Sequence, residues 1–140
     1  MSRDNMKTGL VFGTFDGLHE GHRAMFKQAR DIVDQVVVAL PSDEAVLSLK
    51  GKAPKYTWKD RSSALAESRL VDEIISGDEE IGAYKVIAQI NPEVVFVGYD
   101  QTVLQKDLEE FFHHQTHSPE IITLNAYYPE RYKSSLLNSL

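Results

Sequence analysis

Two runs, QVVVAL at residues 35–40 and VVFVG at 94–98, constrain the fold of this chain more than any other feature. They are apolar at nearly every position rather than at every second one. A strand with one face in water alternates apolar and polar residues, whereas a strand covered on both faces reads as a continuous apolar run. Such strands belong to parallel sheets sandwiched between helices, and the rest of the chain supplies the helices.

Strand-like and helix-like segments alternate along the whole length. Thr8 to Gly13 reads as a first strand. Residues 20–33 read as a helix, with Met25, Ala29, Ile32 and Val33 at helical spacing. After the strand at 35–40, Pro41 breaks the chain, and Ser42 or Asp43 caps a short helix over 43–50. Further helices are predicted over 59–70, 83–90 and 104–114, and further strands over 72–76, 94–98 and 121–124. The final SSLLNSL reads as the opening of a helix with Ser134 or Ser135 near its N-cap. The pattern predicts an α/β protein, a doubly wound parallel sheet of about five strands with helices on both faces. Residues 1–140 are expected to form a single domain, with 1–7 a flexible lead-in.

Composition narrows the function. The chain has no cysteine, which removes disulfides and thiolate metal sites. No apolar run approaches the roughly 20 residues of a membrane helix, and the polar N-terminus lacks a secretory leader, so a cytoplasmic setting and no membrane partner are expected. A net charge of −6 argues against nucleic acid as a partner. Against that acidic background, KGKAPKYTWKDR at 50–61 carries Lys50, Lys52, Lys55, Lys59 and Arg61, five of the fifteen basic residues. The run reads either as a solvated surface loop or as a local anion site.

In folds of this class, ligands bind at the carboxyl ends of the strands. Two predicted strands end on glycine there, Gly13 and Gly98, where a ligand can approach the backbone closely. GTFDGLHEGH, residues 13–22, leaves the first strand and enters the first helix. Asp16-Gly17 marks a turn. The helix N-terminus that follows favours an anion such as phosphate. The three-residue spacing of His19 and His22 brings both rings to that end. Three readings stay open on these residues alone: helix-starting polar groups, phosphate chemistry, or a metal site completed by Asp16. Phosphate chemistry fits best, because helix-borne metal pairs more often use a spacing of four and no Walker loop is present. FFHHQTH places His113, His114 and His117 together, which reads as surface histidine more readily than as a zinc site. Tyr56, Trp58 and Tyr99 are candidates to stack on a base or a flavin ring, or else to anchor loops.

GTFDGLHEGH also resembles the Gly-x-Phe-Asp-x-x-His-x-Gly-His signature of cytidylyltransferase-like nucleotidylyltransferases, and matches it at every fixed position. The similarity continues through PSDEAV, the Lys50/Lys52 loop, DRSSAL, VDEIISGDE, NPEVVFVGYDQ and KSSLL. The resemblance implies a Rossmann-like fold and transfer of a nucleotidyl group from ATP or CTP to a phosphorylated acceptor, with release of pyrophosphate and with Mg²⁺ accompanying the triphosphate. Carried onto this chain, it makes His19, His22 and Lys50 the catalytic residues. It assigns nucleotide binding to Gly13, Thr14, Phe15, Gly21, Gly98, Tyr99, Asp100, Ser134 and Ser135, with no protein metal site. Tyr127, Tyr128 and Tyr132 would flank the triphosphate or a subunit contact, and a homodimer is expected because family members are often dimers.

The C-terminal Arg-Thr-x-Gly-Ile-Ser-Thr motif of related cytidylyltransferases is kept only in its serines, so Arg131 or Lys133 would stand in for the arginine. INPEVVFVGYDQ is most similar to the small archaeal-type FAD synthases, making FMN the leading acceptor, although the C-terminal cysteines usual there are missing. Glycerol 3-phosphate and sugar phosphates are the alternatives, and a catalytically silent nucleotide-binding module is the alternative of another class.

Overall fold

A computed structural model describes residues 6–80, 82–116 and 118–125. Its elements follow in the order β1 (Thr8–Phe12), α1 (Glu20–Ile32), β2 (Gln35–Leu40), α2 (Asp43–Lys50), α3 (Trp58–Ser68), β3 (Glu73–Ser76), α4 (Lys85–Ile90), β4 (Val94–Gly98), α5 (Thr102–His113) and β5 (Glu120–Leu124). The five strands form one sheet in the order β3-β2-β1-β4-β5, and every neighbouring pair is parallel. This is the doubly wound parallel α/β architecture expected from the alternation of runs, and the Rossmann-like fold that the resemblance implies.

The two continuous apolar strands are explained by the two cores they serve. Val36, Val38 and Leu40 of β2, with Val94 and Phe96 of β4, join Val11, Phe26, Ala29 and Leu65 on the face covered by α1 and α3. Val37 and Ala39, with Val95 and Val97, join Leu10, Val86, Leu108 and Phe112 on the face covered by α4 and α5. The register agrees: Val11 lies beside Val38 and Phe96, and Leu10 beside Val37 and Val95. Each fully buried side chain of this size contributes about 1.5–3 kcal/mol relative to exposure.

Helix ends follow local chemistry. The Ser42 hydroxyl accepts from the Ala45 amide at 3.0 Å and caps α2, and the Thr57 hydroxyl accepts from the Asp60 amide at 3.2 Å and caps α3. The α3 helix therefore starts at Trp58, one residue before the expected Lys59. The α4 helix starts at Lys85 rather than Ala83, because Tyr84 sits in the left-handed region at φ 51° and cannot continue a helix backwards. Lys7, expected in a loose lead-in, is tied down instead: its amide donates to Asp34 at 2.8 Å and its carbonyl accepts from the Asp34 and Gln35 amides. Among the described residues, no helix is long and apolar enough to cross a membrane.

From β1 the chain steps outward through β2 and β3, then returns to the far side of β1 for β4 and β5. The order therefore reverses between β1 and β4, and a crevice opens at the carboxyl ends of those strands.

Candidate active site

The crevice has a volume of 1230 Å³. Its centre is the turn from β1 into α1. Phe15 takes a left-handed conformation at φ 49° and Gly17 one at φ 107°, which reverse the chain sharply. The Phe15 ring folds back over Gly13, where a Cβ would come within 2.6 Å of it, so position 13 has no room for a side chain. That ring is only 6% exposed and packs on Phe26 and the edge of His22. Phe15 thus shapes the turn from the core side.

The turn delivers His19 to the N-cap of α1. His19 Nδ1 accepts from the Gly21 amide at 3.1 Å, and His22 Nδ1 accepts from the His19 amide at 3.3 Å. Two imidazoles thus form a reciprocal capping box, a role usually taken by Ser or Thr with Glu. An Nδ1 that accepts carries no proton, so the neutral rings hold theirs on Nε2. The rings stack with centroids 3.8 Å apart and line the crevice side by side. Burial, and after it the neighbouring His19, lowers the His22 pKa to about 4, against a smaller raising effect from Asp100. At neutral pH His22 is therefore an uncharged donor at a helix N-terminus.

Asp16 is committed elsewhere. Its carboxylate accepts from the amides of Lys55 at 2.6 Å and Tyr56 at 2.8 Å, fastening the basic segment to the turn. Desolvation pushes its pKa up, but those two hydrogen bonds, with the charges of Arg61 and Lys50, outweigh this and leave it lowered. The metal alternative needed this carboxylate for His19 and His22. Among the described residues no three histidine, aspartate or glutamate side chains gather to hold a metal.

Of the five cations in the basic run, Lys50 at the end of α2 lines the crevice. Arg61 is 1% exposed and acts as a staple. Its guanidinium donates to the carbonyls of Tyr56 at 3.0 Å, Thr14 at 3.1 Å and Pro41 at 3.0 Å, and to Asp43 at 2.7 Å. It thereby joins the exits of β1 and β2 to the basic segment. Trp58 is also an anchor, its indole N–H donating to the Leu40 carbonyl at 2.9 Å. Tyr56 is exposed beside Gly17.

On the β4 side, Tyr99 and Asp100 line the crevice, as do Gly13, Thr14 and Gly21. The Gly98 amide donates to the Gln101 side chain at 2.6 Å, and Gln101 Nε2 reaches the Phe12 carbonyl at 3.4 Å. Gln101 therefore spans the β1 and β4 ends instead of capping α5. Neither Arg61 nor Gln101 is singled out by sequence: Arg61 hides in a lysine-rich run, and Gln101 has the pattern of an ordinary surface glutamine. Ser134 and Ser135 lie outside the described residues, as do His117, Tyr127, Tyr128, Arg131, Tyr132 and Lys133.

Comparison with known proteins gives relatives along most of the chain. The chain is 31% identical over 124 residues to the FAD synthase of Thermococcus sibiricus, covering 89% of this chain and 81% of the relative. It is 34% identical over 125 residues to the FAD synthase of Thermococcus kodakarensis, with coverage of 89% and 81%. The crystal structure of the lipopolysaccharide core biosynthesis protein of Thermoplasma volcanium superposes with a TM-score of 0.78 at 26% identity, covering 88% of this chain and 99% of that one. The sequence profile described as cytidylyltransferase-like matches residues 10–138, and on that match the chain belongs to the cytidylyltransferase-like family.

Proposed function

We propose that the protein is an FMN adenylyltransferase, which joins the AMP portion of ATP to the phosphate of FMN and releases pyrophosphate. The observation that carries the chemistry is the histidine pair at the N-cap of α1, with each Nδ1 accepting a backbone amide and neither Nε2 hydrogen-bonded among the described residues. The acceptor is suggested by the FAD synthases that match most of the chain.

In this reading an FMN phosphate oxygen attacks the α-phosphorus of ATP. A new P–O bond forms, the bond from that phosphorus to the β-bridging oxygen breaks, and pyrophosphate leaves with the electron pair. The attacking group is already an anion, so no general base is needed; the barrier is one of positioning and charge. His19 and His22 donate to the α-phosphate oxygens as their charge grows, from a site that is already organised before the reaction. Lys50 adds a positive charge, and Gly13, Thr14 and Gly21 let the phosphate approach the turn. Tyr99 and Asp100 lie where the nucleoside would rest. Mg²⁺ would enter with the triphosphate and neutralise part of its charge, with phosphate oxygens and water supplying most of its ligands.

The test is pyrophosphate release with Mg²⁺, ATP or CTP, and FMN, glycerol 3-phosphate or a sugar phosphate as acceptor. ATP with FMN is expected to give turnover and FAD. Turnover confined to CTP, or to acceptors other than FMN, overturns the reading. His22→Ala should lower kcat by about 10²–10³ while the circular dichroism spectrum is retained.

A further inference from the structure

Gln101 breaks a local rule at the edge of the crevice. It is the N-cap residue of α5, yet its side chain makes no hydrogen bond to the helix it opens. A side-chain cap there would stabilise the helix, and α5 forgoes it. The amide turns back to the strand ends instead. Its Oε1 accepts from the Gly98 amide at 2.6 Å, while the Gln101 backbone N–H donates to the Gly98 carbonyl at 3.0 Å. One residue thus engages both backbone groups of Gly98. On its other side, Gln101 Nε2 faces the carbonyl of Phe12, the last residue of β1, at 3.4 Å.

This amide stands where β1 and β4 part. Their shared register runs through Gly9–Val94, Leu10–Val95 and Val11–Phe96, and stops there. On their outer sides both strands stay in the sheet for longer: Phe12 is still paired with Ala39 of β2, and Gly98 with Leu124 of β5. The inner ladder therefore ends before the outer ones do. The gap it leaves holds the Gln101 amide, an acceptor toward Gly98 and a donor toward Phe12, as a peptide group between two strands would be. A side chain at position 98 would crowd it, since a Cβ there would come within 3.3 Å of Gln101 Oε1 and 3.0 Å of Asp100 Oδ1.

We infer that Gln101 is a positioning residue for the nucleotide: its side-chain amide is a wedge that holds the β1 and β4 exits apart. It thereby sets the spacing between the Gly13–Thr14 turn and Tyr99–Asp100, which line opposite sides of that gap. The inference rests on the nucleotide binding proposed above and adds the residue that keeps the crevice open. Without the amide, the Phe12 carbonyl and the Gly98 N–H face each other as a free acceptor and a free donor. Pairing them satisfies both groups, so the sheet gains a rung and the ligand site narrows.

The experiment compares Gln101→Ala and Gln101→Met in the whole 140-residue chain. Gln105→Ala, one turn along α5 and outside the crevice lining, is the control. ATP binding with Mg²⁺ is measured by calorimetry without acceptor, stability by thermal melts, and exchange of the Gly98 amide by NMR. Gln101→Ala should weaken ATP by about tenfold, the equivalent of about one hydrogen bond from the turn to the nucleotide. Its Tm should be at or above that of the wild type, with the Gly98 amide still protected, now by Phe12. Gln101→Met fills the gap with a side chain of similar length and no amide. It should bind ATP as tightly as the wild type while its Gly98 amide exchanges fast. Gln105→Ala should leave ATP affinity unchanged. Wild-type ATP affinity in Gln101→Ala, whatever its Tm, overturns the inference. So does a Gln101→Met variant as weak as Gln101→Ala, which would make the amide a direct contact of the nucleotide. Fast exchange at Gly98 in Gln101→Ala also overturns it, because the exits would then still stand apart. If the wild type binds neither ATP nor CTP, the nucleotide reading fails, and Gly98 exchange in the two variants still decides whether the wedge exists.

Discussion

The histidine pair draws its chemistry from how its proton positions are constrained. His19 and His22 each accept a backbone amide at Nδ1, so each neutral ring can present only Nε2–H to the crevice. Protonating His22 would place a second hydrogen where the His19 amide already donates, breaking the capping box. Burial makes the charged form less favourable still, and the pKa falls from 6.5 to about 4. A depressed folded-state pKa has a definite consequence for stability. As pH falls below 6.5 the unfolded chain takes up a proton at this histidine before the folded one does. The stabilisation His22 contributes is therefore complete above pH 6.5 and is lost as pH falls toward about 4. Urea midpoints at pH 7 and pH 4.5 should differ more for the wild type than for His22→Ala. Equal differences would show that His22 titrates normally in the folded protein.

At the scale of elements, the carboxyl-end loops are held by side chains rather than by the sheet. Arg61 joins the exits of β1 and β2 to the basic segment, and Asp16 fastens that segment to the histidine turn. Asp43, the ion-pair partner of Arg61, is itself 45% exposed, so the pair contributes less than the three carbonyls that would lose their donor. Arg61→Ala should cost about 3 kcal/mol or more, from several buried acceptors left unpaired. Arg61→Lys should recover little, because one ammonium cannot span three carbonyls set by a planar guanidinium. Denaturant titration checks both; a lysine variant as stable as wild type would remove the stapling role. This staple also marks where sequence reasoning stops. The continuous runs of β2 and β4 show two-sided burial through their own residues, and Ser42 marks a helix start through its own hydroxyl. Arg61 has no such local mark. Its carbonyl partners come from positions 14, 41 and 56, and within KGKAPKYTWKDR it reads as one more surface cation. Tyr84 is similar: its left-handed backbone and its Asp107 partner delay α4, and neither is visible in the hydrophobic pattern.

At the scale of the molecule, the decisive feature is the reversal of strand order between β1 and β4. It gathers exits from all five strands around one crevice: the histidine turn from β1, Pro41 after β2, Gly77 after β3, Tyr99 after β4 and Asn125 after β5. A nucleotide lying there touches segments that are distant in sequence, and the unfolded chain cannot reassemble them. Binding must therefore shift the global unfolding equilibrium by mass action. At a nucleotide concentration 100 times Kd the gain is about 2.7 kcal/mol. For a chain of this size that corresponds to a rise of roughly 8–11 °C in Tm, at roughly 3–4 °C per kcal/mol. Thermal melts with Mg²⁺ and ATP should show this rise, and CTP at the same concentration should give a clearly smaller one. The protein carries a net charge of −6, so the rise also reports how far the local cations and the α1 N-terminus overcome the general repulsion of a polyanion. Equal shifts with ATP and CTP would mean that the crevice does not distinguish the bases. Adenylyl transfer would then lose its claim over cytidylyl transfer.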